Sequence, residues 1–463
     1  MIPITFGEIA KIVNGELLNL APDTSTSAFP VIDSRKARKG TFFAAFVGEN
    51  LNGHDFVEAA MKNGAEFALV SKRVDCEAIL VQDVQEALAT LAREVRKRLK
   101  SLTTIGITGS QGKTTTKDLL GHILSTYGQV VSPEESLNNE LGVPLLILRC
   151  TEETKYCIVE MGARHEGDIA YLSEIAKPNV GLVLSVGKAH LGEFGSREVI
   201  AKTKSELIRG LGIEGIAVLG SYDEFTPKMA DGLNLKVISF GETSACKVRA
   251  ADIEVREGRA HFDLVTPEGR TPVSLQLLGL HQIANALGAA AVSTALGIPL
   301  ESIAAALSTA EVSSKWRMEM IEKNELLIIN DSYNANPESM AAALRTLALI
   351  AQERGGVSWA FLGKMHELGA SSEAEHQAIG RLATEIGIDQ IVSIGTKEFV
   401  SDLAAEEISE GESQLHFFPN REAALSMIPN FAKGDVVLVK ASRAEEFNLL
   451  VDEIVLGWEA LAK

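Results

Sequence analysis

The sequence predicts an α/β protein of three domains: a small α/β N-terminal domain (1–100), a central P-loop-type parallel-sheet domain (101–312) and a C-terminal doubly wound, Rossmann-like domain (313–463). Three observations predict it. A chain of 463 residues is too long for one hydrophobic core, and at roughly 150 residues per domain it divides into about three. An apolar strand, a glycine loop and a helix follow one another at 102–127, the order that opens a parallel sheet. Past residue 313 short apolar strands again alternate with helical stretches, which calls for a second parallel sheet covered on both faces.

The elements follow in order. The N-terminal segment begins with a helical pattern; Thr41–Val47 reads as a short strand, punctuated by Gly48 and Gly53 before a helix from about Asp55. Ala68–Val70 is another strand, and Val84–Leu99, rich in Ala, Leu and Arg, a helix. In the central segment the strand Leu102–Ile107 leads through TGSQGK into a helix from Thr114 to about Tyr127, and strands at Tyr156–Glu160 and Val180–Val186 continue the sheet. The alternating, turn-linked runs Ala250–Val255, His261–Val265 and Val273–Leu277 read as an antiparallel edge, closed by helices His281–Leu296 and Leu300–Leu307. The last segment gives strands Leu326–Asn330, Val357–Leu362, Gln390–Ile394 and Val436–Val439, with helices at about Glu338–Ala351 and Glu373–Ile386.

Composition narrows the function. The hydrophobic fraction of 46% and charged fraction of 23% belong to a folded chain, not a disordered one. The start carries Glu8 and breaks at Gly15, unlike a signal peptide. No run reaches the roughly 18 apolar residues of a membrane span, so a cytoplasmic protein without a span is expected. Cys76, Cys150, Cys157 and Cys246 show no CxxC or Cys/His spacing, which argues for free thiols over disulfides or zinc. A net charge of −18 speaks against nucleic acid, whose phosphates need a basic footprint. An anionic substrate would have to be met locally, by metal ions or a focused basic site.

The chemistry starts at Gly109, Ser110, Gln111, Gly112, Lys113, Thr114 and Thr115. Glycines at 109 and 112 let backbone N–H groups turn onto phosphate oxygens, the following helix adds its positive end, Lys113 reaches the β- and γ-phosphates, and Thr114 offers a hydroxyl to magnesium. The full Walker pattern GxxxxGK[ST] fails, because Ile107 stands where the first glycine belongs. Glu160 ends an apolar strand, where ligands of α/β sheets collect, and a buried carboxylate there calls for a cation. His190 follows the next strand at the same edge. By itself a histidine there is more often hydrogen-bonded structure than a ligand.

The shortened TGxxGKT loop, with Glu160, His190 and the run AKTKSEL at 201–207, resembles the Mur ligase family. The likeness extends through IDSRK (32–36), GENLNGHDF (48–56), SLNNELGVP (136–144), EMGARHEGDI (160–169), GLHQIANAL (279–287) and DSYNANPESM (331–340). These runs are most similar to the members that join D-alanyl-D-alanine to UDP-N-acetylmuramoyl-tripeptide in cytoplasmic peptidoglycan synthesis. The alternative is a member adding one amino acid to the UDP-muramoyl dipeptide, but those show an Asp-Tyr-Ala-His-Thr-Pro type of segment where DSYNANP stands. Folylpolyglutamate synthetases share the loop but lack the DSR and GENxxGHDF features.

The resemblance implies an ATP-dependent, ADP-forming amide ligase: the peptide carboxylate attacks the γ-phosphate, giving an acyl phosphate that the dipeptide amine then opens. It implies two magnesium ions held by Thr114, Glu160, His190 and a carbamylated Lys204, with Lys113, Lys204 and His190 catalytic. Asn285 is implied as the adenine contact, Arg317 as a phosphate contact and Asp331 as a further nucleotide contact. Ser34, Arg35, Asn52, His54 and Phe56 are implied on the uridine side, and Asn138 and Asn139 at the UDP-sugar peptide. Asn334, Asn336, Lys440, Ser442 and Arg443 are implied on the substrate side of the third domain. A monomer is expected, open when free and closing on its substrates; no residue is singled out as base for the amine. Ser185, Asn330, Trp316, Lys364 and Ala441 depart from the residues frequent in the family, the last two replacing an acid and a glycine and Trp316 a glycine.

Overall fold

The computed structural model describes residues 1–48, 51–133, 137–187, 191–311, 314–403 and 413–461. Three sheets organise the chain. The first has five strands in the order Glu16–Leu18, Ala78–Leu80, Ala68–Val70, Thr41–Ala44 and Phe29–Val31, parallel except for the first pair. The strand expected to run to Val47 stops at Ala44 because the chain reverses there: Gly53 N–H donates to the Phe46 carbonyl at 2.6 Å. The helix expected from Asp55 begins as a 3-10 turn, Gly53–Phe56, and turns α-helical at Val57–Lys62.

The second sheet has nine strands. Five parallel ones form its middle, in the order Lys236–Gly241, Ile216–Gly220, Val180–Val183, Thr103–Thr108 and Thr154–Glu160, with Gln129–Val131 at one edge. At the other edge Val248–Arg256, Arg259–Thr266 and Gly269–Leu278 form the antiparallel ribbon that alternation predicts. Thr103–Thr108 is buried between Val180–Val183 and Thr154–Glu160, so the turn leaving it opens at the middle of the sheet. The Val180 strand ends three residues early, at Val183, because the backbone beyond it bonds sideways: Ser110 N–H donates to Ser185 O at 2.9 Å and Val186 N–H to Asp223 Oδ2 at 2.9 Å.

The third sheet runs Glu319–Lys323, Leu326–Asn330, Val436–Lys440, Ser358–Leu362, Gln390–Ile394 and Gln414–Phe418, parallel except for its first pair. Two apolar cores lie on its two faces, which is why its central strands read as unbroken Ile, Val, Leu and Phe. Helix Pro337–Arg354 is capped by Asn336, whose Oδ1 accepts from Ser339 N at 2.9 Å.

The first unit is seated on the second by one buried arginine. Helix Val84–Arg98 packs on helices Gly142–Ile147 and Asp168–Ala176 in a shared core. From it Arg96 donates to the carbonyls of Ala176 (3.0 Å), Lys177 (3.1 Å) and Leu99 (3.2 Å) and to Asn179 Oδ1 (3.1 Å). A guanidinium thus satisfies carbonyls left open at a helix C-terminus. The four cysteines are free thiols. Among the described residues no helix is long and apolar enough to cross a membrane.

Candidate active site

The glycine loop leaves the centre of the nine-stranded sheet at Thr108 and becomes helix Lys113–Ser125. Gly112 caps that helix with φ +79°, and a Cβ there would lie 2.1 Å from Asn285 Oδ1, so both conformation and space demand glycine. Lys113 folds back, its Nζ donating to Gly109 O at 2.8 Å. Burial, and then the nearby Arg317 cation, lower its pKa below the usual lysine value, while Glu160 opposes the shift. Ser110 Oγ accepts from Gly187 N–H at 2.8 Å, which ties the loop to the neighbouring strand end.

Glu160 lies beside the loop, 2% exposed. Its Oε2 accepts from Thr114 Oγ1 and its Oε1 from Asn138 Nδ2, each at 3.0 Å. Both donors are neutral, and among the described residues no Lys or Arg forms an ion pair with it. A buried carboxylate and the threonine hydroxyl that reaches it form an oxygen donor set suited to magnesium. Lys204, on helix Arg197–Arg209, is buried as well, and among the described residues no acceptor takes up its ammonium. Burial, with Lys113 nearby, pushes its pKa well below the ordinary lysine value. His190 lies outside the described residues. Among those described, no three His, Cys, Asp or Glu side chains cluster as a metal centre.

The facing wall comes from the third sheet. Lys440 ends strand Val436–Lys440 with its side chain 2% exposed, and its Nζ meets Asp331 Oδ2 at 2.5 Å and Asn334 O at 2.9 Å. Ser442 Oγ accepts from His366 N–H at 2.9 Å. Arg443 stacks its guanidinium on the Trp316 ring, 4.3 Å from the centroid, and bonds Asn448 Oδ1 at 2.7 Å. Trp316 has φ +61°, a left-handed conformation that suits the glycine it replaces. Arg317 reaches across to the loop, its Nη2 donating to Thr114 Oγ1 at 3.0 Å while its guanidinium covers Tyr333 at 3.9 Å. His281, at the start of helix Gln282–Ala295, lies between Asp331 and Lys440 electrostatically; burial lowers its pKa to about 4.

These walls enclose one cavity of about 780 Å³, lined by Ser110–Thr115, Asn138, Glu160, Asn285, Arg317, Asp331, Asn334, Asn336, Lys440, Ser442 and Arg443. The second and third units touch around it: Arg164 approaches Glu367 at 3.7 Å, Ser314 Oγ donates to Asp118 at 2.6 Å, and Gly192 N–H donates to Glu367 O at 3.3 Å.

Residues 28–99 match the Mur ligase family catalytic domain, 107–293 the Mur ligase middle domain, and 316–443 the Mur ligase glutamate ligase domain. The chain belongs to the Mur ligase family. A UDP-N-acetylmuramoyl-tripeptide--D-alanyl-D-alanine ligase of Mycobacterium tuberculosis is 39% identical, with 98% of each chain covered. A crystal structure of MurF from Acinetobacter baumannii superposes with TM-score 0.87 at 35% identity, covering 98% of this chain and 99% of that one. MurF of Thermotoga maritima in complex with ADP gives TM-score 0.79 at 30% identity, over 94% and 98%.

Seen as a Mur ligase, the chain separates the sequence-predicted residues into three groups. The loop, Glu160, Asn138 and the third-unit residues line the one cavity. Ser34, Arg35, Asn52, His54 and Phe56 lie on the first unit, in and beside two 3-10 turns, outside it. There Arg35 pairs with Asp33 at 2.7 Å, Asn52 Oδ1 caps the turn by accepting from His54 N at 3.2 Å, and Phe56 is 39% exposed. His54 is a strut: Nδ1–H donates to Asn52 Oδ1 at 2.9 Å and Nε2 accepts from the backbone of Ser71 (3.0 Å) and Lys72 (3.2 Å). Asn139 does not line the cavity; its Oδ1 accepts from Gly142 N–H at 3.0 Å. Tyr333, Arg164 and His366 escaped the sequence reading although they line the cavity. Tyr333 lies inside DSYNANP, where an aromatic residue by itself carries no signal that separates packing from a ligand contact.

Proposed function

We propose that this cavity joins D-alanyl-D-alanine to the terminal carboxylate of UDP-N-acetylmuramoyl-tripeptide, with ATP cleaved to ADP and phosphate. One observation carries the reading: the phosphate loop and the Lys440–Asp331 edge of the third sheet face one another across a single cavity of about 780 Å³. As a Mur ligase the chain is an ATP-dependent amide ligase of peptidoglycan precursor synthesis. The alternative, addition of a single amino acid, is not favoured, because the full-length relative at 39% identity is a dipeptide-adding enzyme.

ATP lies with its phosphates on the backbone of Gly109–Thr115 and the helix end, Lys113 swinging from Gly109 O onto the β- and γ-phosphates. The substrate carboxylate attacks the γ-phosphorus, and Lys113 and Arg317 meet the charge that spreads over the transferring group. Thr114, Glu160 and His190 are the residues to hold magnesium, which supplies charge neutralisation when bound. Lys204 takes up carbon dioxide: its neutral amine adds to the carbon, one proton leaves, and an ammonium becomes an anionic carbamate. Support for that step is a buried lysine of lowered pKa that has no acceptor among the described residues. Asn285 packs the adenine side, Asp331 holds Lys440, and residues 313–463 receive the dipeptide. The first 100 residues hold the UDP moiety at Ser34, Arg35, Asn52, His54 and Phe56. That one chain lines the cavity supports a monomer, and a UDP-linked substrate supports a cytoplasmic location.

The test is phosphate release with ATP, UDP-N-acetylmuramoyl-tripeptide and D-alanyl-D-alanine. Phosphate that depends on all three is the expected result; phosphate indifferent to the dipeptide would sink the reading.

A further inference from the structure

A histidine–carboxylate pair at the third-unit edge of the cavity has no part in the chemistry so far. His366 follows strand Ser358–Leu362 and Glu445 lies in the 3-10 turn Arg443–Glu445 after Val436–Lys440. These strands are parallel neighbours, so both loops leave the same sheet edge, where α/β sheets gather ligands. The two loops are interlocked: Ser442 N–H donates to Lys364 O at 3.1 Å, His366 N–H to Ser442 Oγ at 2.9 Å, and Glu445 N–H to Ser442 O at 3.0 Å. Behind them buried His376 accepts from Met365 N–H at 2.9 Å and donates to Ser372 O at 2.6 Å, which holds the backbone just before His366.

His366 Nε2 lies 2.6 Å from Glu445 Oε1. A carboxylate only accepts, so Nε2 carries the proton and the other ring nitrogen, Nδ1, presents a lone pair. Among the described residues Nδ1 has no hydrogen-bond partner, and the side chain is 39% exposed at a wall of the cavity. Resting on the ligase reading above, we propose that His366, oriented by Glu445, is the general base that takes the proton from the ammonium of the incoming dipeptide.

The step balances. The ammonium gives one proton to Nδ1, and Glu445 stabilises the imidazolium. The free amine pair forms the C–N bond to the acyl phosphate carbon. As the C–O bond to phosphate breaks, the second amine proton leaves with the phosphate, and His366 returns its own proton to solvent through its exposed side. The charged and titratable groups around His366 are Glu445 and Glu367 on the acidic side, and Lys364, Arg443, His376 and, across from the second unit, Arg164 on the basic side.

His366→Ala and Glu445→Gln separate this role from a structural one, because the first half-reaction needs no amine. Acyl phosphate formed from ATP and the tripeptide nucleotide alone, trapped with hydroxylamine, is expected at wild-type level in both variants. The dipeptide-dependent kcat/KM of His366→Ala should fall about tenfold at pH 7, because an α-amine of pKa about 8 is then only about one-tenth free. The deficit should close above pH 8, with Glu445→Gln falling between. A His366→Ala pH profile lying on the wild-type curve overturns the proposal, as does parallel loss of acyl phosphate formation in both variants. Wild-type enzyme that makes acyl phosphate but no dipeptide product overturns the ligase reading itself, and this assignment with it.

Discussion

Replacing Lys440 with methionine tests how the third-unit wall is held. Lys440 is 2% exposed and Asp331 14%, with Nζ and Oδ2 2.5 Å apart. Methionine keeps most of the volume and removes the charge, so among the described residues the side chain of Asp331 retains only the Met318 N–H at 3.2 Å. Removing one partner of a buried ion pair typically costs about 3–5 kcal/mol. The destabilisation should therefore be about 3–5 kcal/mol at pH 7. The three tryptophans, Trp316, Trp359 and Trp458, all lie in the third unit, so urea unfolding followed by tryptophan fluorescence reports on that unit. The double change Lys440→Met with Asp331→Asn should recover most of the loss. A loss below about 1 kcal/mol would mean that the pair is solvated and the argument fails.

Gly112→Ala should abolish ATP binding, since the new Cβ meets Asn285 Oδ1 at 2.1 Å and φ is +79°; calorimetric titration with ATP that matches wild type would refute this. His281 has its pKa lowered from 6.5 to about 4, so the unfolded chain takes up a proton below pH 6.5 that the folded chain refuses. Stability is then whole above pH 6.5 and falls by up to about 3 kcal/mol as pH drops towards 4; His281→Gln should flatten that slope in urea midpoints measured against pH. Lys204→Ala should lower turnover at least a hundredfold, and wild-type protein in isotopically labelled bicarbonate should give a carbamate carbonyl resonance that the variant lacks. Glu160→Gln keeps the shape and both neutral neighbours, so it should leave the unfolding midpoint unchanged or higher while turnover and magnesium dependence disappear.

What is local could be read from the order of residues. The strand, glycine loop and helix at 103–125 lie within one stretch of chain, and the φ and space that Gly112 requires follow from its immediate surroundings and one packed helix. The alternating ribbon 248–278 and the apolar strands of the third sheet were legible for the same reason, since period and burial are written along a strand. The strands Ile216–Gly220 and Lys236–Gly241 were not singled out, because short parallel strands carry no distinctive period. The cavity, by contrast, is made by long-range packing. Arg317 meets Thr114 across 203 residues, Lys440 meets Asp331 across 109, and His366 meets Glu445 across 79. The fold also gave Asn139 a cap and His54 a strut, roles that type and position alone do not distinguish from ligand contacts. The physical reason is that parallel strands deliver their carboxyl ends to one edge whatever their spacing in the chain, so partners that share a charge or a proton are chosen by sheet order and not by sequence distance.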